Sequence, residues 1–112
     1  MEQQQQMHFV VLNDSRHMVP DKIREQYPAA TITILTDANY PSFESKDNVV
    51  DFAWSLAKKI TTGSIVVLTG TIEVAMLIFT MVLRRDSYVR YASFDFTSKK
   101  YNIRKIEYLE LR

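Results

Sequence analysis

The sequence predicts an α/β fold: a single Rossmann-like domain with a mainly parallel five-stranded sheet, in the order β-α-β-α-β-α-β-β, closed by a C-terminal antiparallel hairpin. Three observations predict it. Short β-branched or apolar runs alternate three times with helical patterns, the signature of βαβ units. The first run, His8-Phe9-Val10-Val11-Leu12, and the third, Ser64-Ile65-Val66-Val67-Leu68, are nearly continuous in apolar residues, as strands covered on both faces are. Beyond Asp86 the helical period gives way to alternation, which marks two closing strands.

Each element follows from local chemistry. Residues 1–7 form a Gln-rich lead expected to be flexible, and residues 8–112 form the domain. The first strand covers His8 to Asn13. Pro20 suits the first turn of a helix and Asp21 adds favourable charge there, so a short helix is expected over Pro20 to Tyr27, stopped by Pro28. Thr31 to Thr36 is β-branched and alternating, which reads as the second strand. Asp37 to Ser45 is the longest loop and carries Tyr40, Pro41 and Phe43, of which the two aromatics either stack on a ligand's bases or anchor the loop on the core. Val49, Val50, Ala53, Trp54, Leu56, Ala57 and Ile60 recur at helical spacing and predict a helix over Lys46 to Ile60. A third strand over Ser64 to Leu68 feeds a third helix over Thr71 to Arg85. Strands over 88–97 and 102–111 close the chain, joined at Ser98 to Tyr101.

The third helix is apolar on nearly all sides through Val74-Ala75-Met76-Leu77-Ile78-Phe79 and Met81-Val82-Leu83. A surface helix of a small monomer shows a polar stripe. This pattern predicts core on one face and a partner on the other.

Composition narrows the function classes. The 112 residues suffice for one core, and a net charge of +1 gives no global pull toward long nucleic acid or acidic lipid. The absence of cysteine excludes disulfides, thiolate metal sites and a Cys nucleophile, and suits a cytoplasmic protein. No secretory signal and no membrane span are expected, because the apolar run of the third helix is about half of the roughly 20 residues a span needs. Only Gly63 and Gly70 occur, so neither the dinucleotide-binding nor the P-loop motif can be written.

A site is expected where the connections leaving the first and third strands diverge, beyond the carboxyl ends of the strands. Two polar loops meet there: Asn13-Asp14-Ser15-Arg16-His17 and Thr69-Gly70-Thr71. They offer an amide, hydroxyls, a cation, an imidazole and a helix N-terminus, a set suited to a phosphate-bearing ligand. Bland readings stand beside this one. Asn13 could close its own turn, Ser15 and Arg16 could simply be solvated, and Thr71 could be only an N-cap. Glu73 could merely complement the helix dipole, as Arg84 and Arg85 do at the other end. No spacing suggests a metal site, and a phospho-acceptor Asp after the third strand, which a response regulator requires, is missing.

Leu12-Asn13-Asp14-Ser15, Leu68-Thr69-Gly70-Thr71 running into a largely apolar helix, and the strand pair Tyr88 to Phe96 with Ile103 to Leu111 together carry a resemblance. The chain resembles the small stand-alone CRISPR-associated Rossmann-like proteins related to CARF domains, several of which are ring nucleases. The likeness runs through most of the chain from His8 onward. Where that family often carries a longer basic signature at the second loop, this chain has Thr71 and Glu73. The resemblance implies a homodimer through the helix Thr71 to Arg85 that binds a cyclic oligoadenylate, cyclic tetra-adenylate being the expected form, across its two-fold axis. It implies metal- and cofactor-independent cleavage that switches off type III CRISPR signalling in antiviral defence. The ribose 2′-OH would attack the adjacent phosphate and leave a cyclic 2′,3′-phosphate end. Ser15, Arg16 and His17 would be the catalytic residues. Asn13, Asp14, Thr36, Thr69, Gly70, Thr71 and Glu73 would bind the ligand.

Two other classes remain open at this point. One is a binding module without catalysis, a sponge or regulatory subunit. The other is a structural α/β dimerisation domain whose switch point is empty. The chain length leaves no room for an attached effector domain, which favours an enzyme over a sensor.

Overall fold

A computed structural model describes residues 7–15 and 18–111 of the chain. The expected flexible lead, Met7 apart, lies outside the described residues, as do Arg16 and His17. The elements are β1 (His8–Val11), α1 (Val19–Gln26), β2 (Thr31–Ile34), α2 (Lys46–Ala57), β3 (Ile65–Val67), α3 (Ile72–Asp86), β4 (Tyr88–Asp95) and β5 (Lys100–Glu107), with a 3-10 turn at Tyr108–Leu111. They form one five-stranded sheet in the order β2-β1-β3-β4-β5. β1, β2, β3 and β4 are mutually parallel and β5 pairs antiparallel with β4. This order differs from the 3-2-1-4-5-6 sheet of dinucleotide-binding Rossmann domains. The chain steps from β1 outward to β2, returns past β1 to β3, and continues in that direction to β4 and β5, so the reversal lies between β1 and β3 as expected.

The period of two in the strands builds two cores. Phe9, Val11, Ile65, Val67, Ala92 and Tyr101 face α1 and pack on Ile23. Val10, Leu12, Val66 and Val89 face the other way, against Val49, Ala53 and Leu56 of α2 and Val74, Ile78 and Val82 of α3. The central strands therefore bury both sides, which accounts for their continuous apolar runs. β2 lies at the edge, and its alternation yields no buried residue.

Local chemistry sets the ends. Ser45 caps α2 by accepting a hydrogen bond from the Asn48 N–H at 3.2 Å. Arg85 at the last turn of α3 donates to the Ala57 carbonyl at 3.2 Å, tying α2 to α3. α2 stops at Ala57 where the spacing predicts Ile60; the next residues leave the helix in tight turns, yet Ile60 is still buried. β5 starts at Lys100, two residues before the expected strand. The cause is the turn: Asp95 Oδ1 accepts from the Thr97 N–H at 2.9 Å, and Lys99 adopts φ +61. No helix among the described residues is long and apolar enough to cross a membrane.

Candidate functional site

The loops after β1 and β3 meet at the strand reversal, and Asn13 joins them. It is only 5% exposed. Its backbone N–H donates to Thr69 Oγ1 at 3.0 Å, which fastens the β1 loop to the β3 loop. Its side-chain Nδ2 donates to Thr36 Oγ1 at 3.0 Å and to the Ala38 carbonyl at 2.7 Å. Its Oδ1 accepts from the Ser15 N–H at 2.9 Å. Both amide protons are thus spent on the protein, and three loops converge on this one residue, two through its side chain and the third through its backbone N–H. Thr36 takes part in the same network by donating its hydroxyl to the Leu12 carbonyl.

Asp14 is 4% exposed. Its Oδ1 accepts from the Met18 and Val19 N–H groups, both at 3.1 Å, so a carboxylate already sits at the positive end of α1. On the sheet side of α1, burial and then the Asp14 charge push the Tyr101 phenol above its ordinary pKa.

The start of α3 is different. Thr71 occupies the N-cap position with extended backbone, yet its side chain makes no capping bond. Thr71, Ile72 and Glu73 are all exposed. The first-turn N–H groups of α3 are the ones here that no side chain has claimed. Gly70 precedes them at φ +88. A Cβ there would lie 2.9 Å from Tyr40 Cε2 and 3.0 Å from Asn13 Cβ, so the turn needs glycine for two reasons. The Tyr40 ring covers Gly70, and its hydroxyl donates to the Leu12 carbonyl at 3.3 Å. Tyr40 and Phe43 both pack on Phe52, with centroids at 5.1 and 5.2 Å. The long loop is therefore anchored by its aromatics rather than presenting them.

A groove of about 590 Å³ opens beside this turn, between Leu68, Gly70, Ile72, Met76, Phe79 and Tyr91. A second of about 380 Å³ runs along the other flank of α3 past Lys46, Val50, Glu73 and Leu77. Between them Ile72 and Met76 stand 76% and 62% exposed.

The sequence-predicted residues Asn13, Asp14, Thr36, Thr69, Gly70 and Thr71 thus meet at one end of the sheet, with Ser15 exposed in the same loop and Glu73 in the first turn of α3. Arg16 and His17 fall outside the described residues. Tyr40 was not anticipated at Gly70, although a tyrosine in a long loop beside one of only two glycines was a usable signal. Among the described residues no group of three or more His, Cys, Asp or Glu is placed to hold a metal ion. Comparisons with protein-family models, with curated proteins and with solved structures yielded no match for this chain.

Proposed function

We propose that the chain binds a cyclic oligoadenylate, cyclic tetra-adenylate being the form to test first, at the strand reversal of a CARF-like homodimer, and cleaves it as a metal-independent ring nuclease. One observation carries the binding reading. Of the two helix N-termini at the reversal, that of α1 is already matched by Asp14, whereas that of α3 is open, uncapped and preceded by Gly70. A phosphate placed there meets free N–H groups and the positive end of the dipole.

The dimer reading draws support from the exposed stripe Ile72, Met76 and Thr80, which recurs every four residues along α3. Glu73 and Arg84 lie about 16 Å apart on that helix. An antiparallel pairing of two α3 helices about a two-fold axis would set Glu73 of each copy against Arg84 of the other, and neither residue has an ion-pair partner among the described residues. A two-fold axis would also present the loop set twice to a symmetric cyclic ligand.

In the cleavage step the ribose 2′-oxygen attacks the adjacent phosphorus in line, the bond to the 5′-oxygen breaks, and the proton passes from the attacking to the leaving oxygen. Ser15 orients the ribose, Arg16 and the α3 N-terminus hold the phosphate, and His17 handles the proton. The second reading, binding without cleavage, is favoured by a specific observation. The Asn13 amide and the Thr36 and Thr69 hydroxyls are engaged in tying the loops, so the chemistry rests on Ser15, Arg16 and His17 alone.

The test is incubation of the purified protein with labelled cyclic tetra-adenylate in EDTA. Linear product with a cyclic 2′,3′-phosphate end, lost in Arg16→Ala and Ser15→Ala, supports the enzyme. Ligand bound and recovered intact selects the binding module. No binding at all removes the reading.

A further inference from the structure

A third concave surface lies away from the α3 turn, between α1 and the β4–β5 turn. It encloses about 430 Å³ and is lined by Lys22, Glu25, Gln26, Lys99, Lys100 and Tyr101. Its floor is rigid. The Gln26 side chain donates to the Tyr101 carbonyl at 2.9 Å and accepts from the Tyr101 N–H at 2.8 Å. One amide thereby satisfies both outward backbone groups of that residue on the edge strand.

Its rim is basic, with three lysines against the single carboxylate of Glu25. None of the three lysines has an ion-pair partner among the described residues. Asp95, the other acidic group at this turn, is occupied: the Thr97 N–H, and then Ser98, hold its carboxyl below the ordinary value.

The surface continues into aromatics. Lys22 Nζ lies 5.4 Å from the centroid of Phe94. Phe94 meets Tyr101 edge-on at 5.1 Å and Phe96 edge-on at 5.1 Å. Phe96 is 78% exposed. A phenylalanine so exposed forgoes most of its hydrophobic stabilisation and leaves most of its ring surface open to a ligand.

We propose that this surface is an oligonucleotide-binding subsite, in which Lys22, Lys99 and Lys100 hold a phosphate and a base stacks on Phe96. Cationic side chains that track phosphates beside an aromatic face that accepts any base are the two parts of single-strand recognition. The concavity favours this ligand over a flat anionic membrane, because a cavity of this size holds about one nucleotide unit. The proposal is independent of the α3 turn and shares none of its residues.

The probe is a fluorescein-labelled, 5′-phosphorylated linear tetra-adenylate, followed by anisotropy against the full chain. Phe96→Ala is expected to weaken binding about tenfold. The pair Lys99→Gly with Lys100→Ala, the first of which also relieves a positive φ, is expected to lower the slope of log affinity against log salt by about 1.4. Thr71→Asp, which sets a capping carboxylate on the open α3 N-terminus and so repels a phosphate there, is expected to leave both quantities unchanged, which separates this subsite from the reading above. The proposal is overturned if the probe does not bind at about 1 mM protein, or if Phe96→Ala and the lysine pair leave affinity intact. It is equally overturned if binding falls in Thr71→Asp but not in Phe96→Ala, or if the chain binds phosphatidylserine vesicles and not the probe.

Discussion

Gly70→Ala tests the geometry of the site most directly, because two separable costs meet at one atom. The first is conformational. Gly70 sits at φ +88, a region that costs a residue with a Cβ about 1–2 kcal/mol. The second is steric. The new Cβ would stand 2.9 Å from Tyr40 Cε2 and 3.0 Å from both Tyr40 Oη and Asn13 Cβ. Tyr40 is pinned by its bond to the Leu12 carbonyl and by the Phe52 ring, so it yields only at a price of about 1–3 kcal/mol, as overpacked sites do. The sum predicts a loss of about 2–5 kcal/mol in urea unfolding, read as a lower midpoint at constant slope. The Tyr40→Ala background separates the two costs. Removing the ring removes most of the clash and none of the φ penalty, so Gly70→Ala should cost only about 1–2 kcal/mol there, and the cycle should show a coupling of about 1–2 kcal/mol. Additive single and double variants would refute the contact. A single variant costing under about 0.5 kcal/mol would refute the positive φ as well.

Further outcomes follow from other parts of the structure. Ile72→Lys with Met76→Glu should convert a dimer to a monomer in sedimentation velocity, and at concentrations low enough for the parent to be monomeric should change unfolding stability by no more than about 0.5 kcal/mol, because both side chains are exposed in the single chain. Asp14→Ala removes the acceptor for the Met18 and Val19 N–H groups and should cost about 1–2 kcal/mol in urea unfolding. The Arg85 hydrogen bonds, both 2.7 Å, hold the Asp86 carboxyl below its ordinary pKa. Their contribution is therefore present above about pH 4 and is lost as the pH falls below that value. Asp86→Asn should be less stable than the parent by about 0.2–1 kcal/mol at neutral pH, with the gap closing toward pH 3 in thermal melts.

The sheet was legible because it rests on patterns that local sequence carries. The apolar runs at Phe9 to Leu12 and Ile65 to Leu68 mark strands buried on both faces, and the βαβ alternation then places them side by side. The start of β5 was less legible, since its register follows from the Asp95 side chain and a left-handed Lys99 rather than from alternation. The meeting of Asn13 with Thr69 was legible as a meeting of loops. Which way the Asn13 amide turns was not, because its partners, Thr36 and Ala38, lie more than twenty residues away and leave no periodic trace. The same holds for Tyr40 over Gly70 and for the Asp14 charge beside Tyr101.

The distribution of satisfied groups separates binding from catalysis at this site. A polar residue that already makes its full set of hydrogen bonds can shape a ligand's surroundings, but it cannot take part in a proton transfer without abandoning a partner, at about 1–3 kcal/mol for a buried group. Asn13 and Thr36 are in that position, with Asn13 holding the Ser15 N–H of its own loop and the Ala38 carbonyl of the loop after β2. Substituting them should lower stability and ligand affinity together, with no separate effect on turnover. Ser15 is exposed, and only its backbone N–H is bound to Asn13. Its hydroxyl can be removed without unpicking the loops. A fall in turnover at unchanged affinity in Ser15→Ala, beside a joint fall in stability and affinity in Asn13→Ala, is thus the pattern a ring-cleaving site requires. Parallel losses in both variants would leave the reversal as a binding cradle alone.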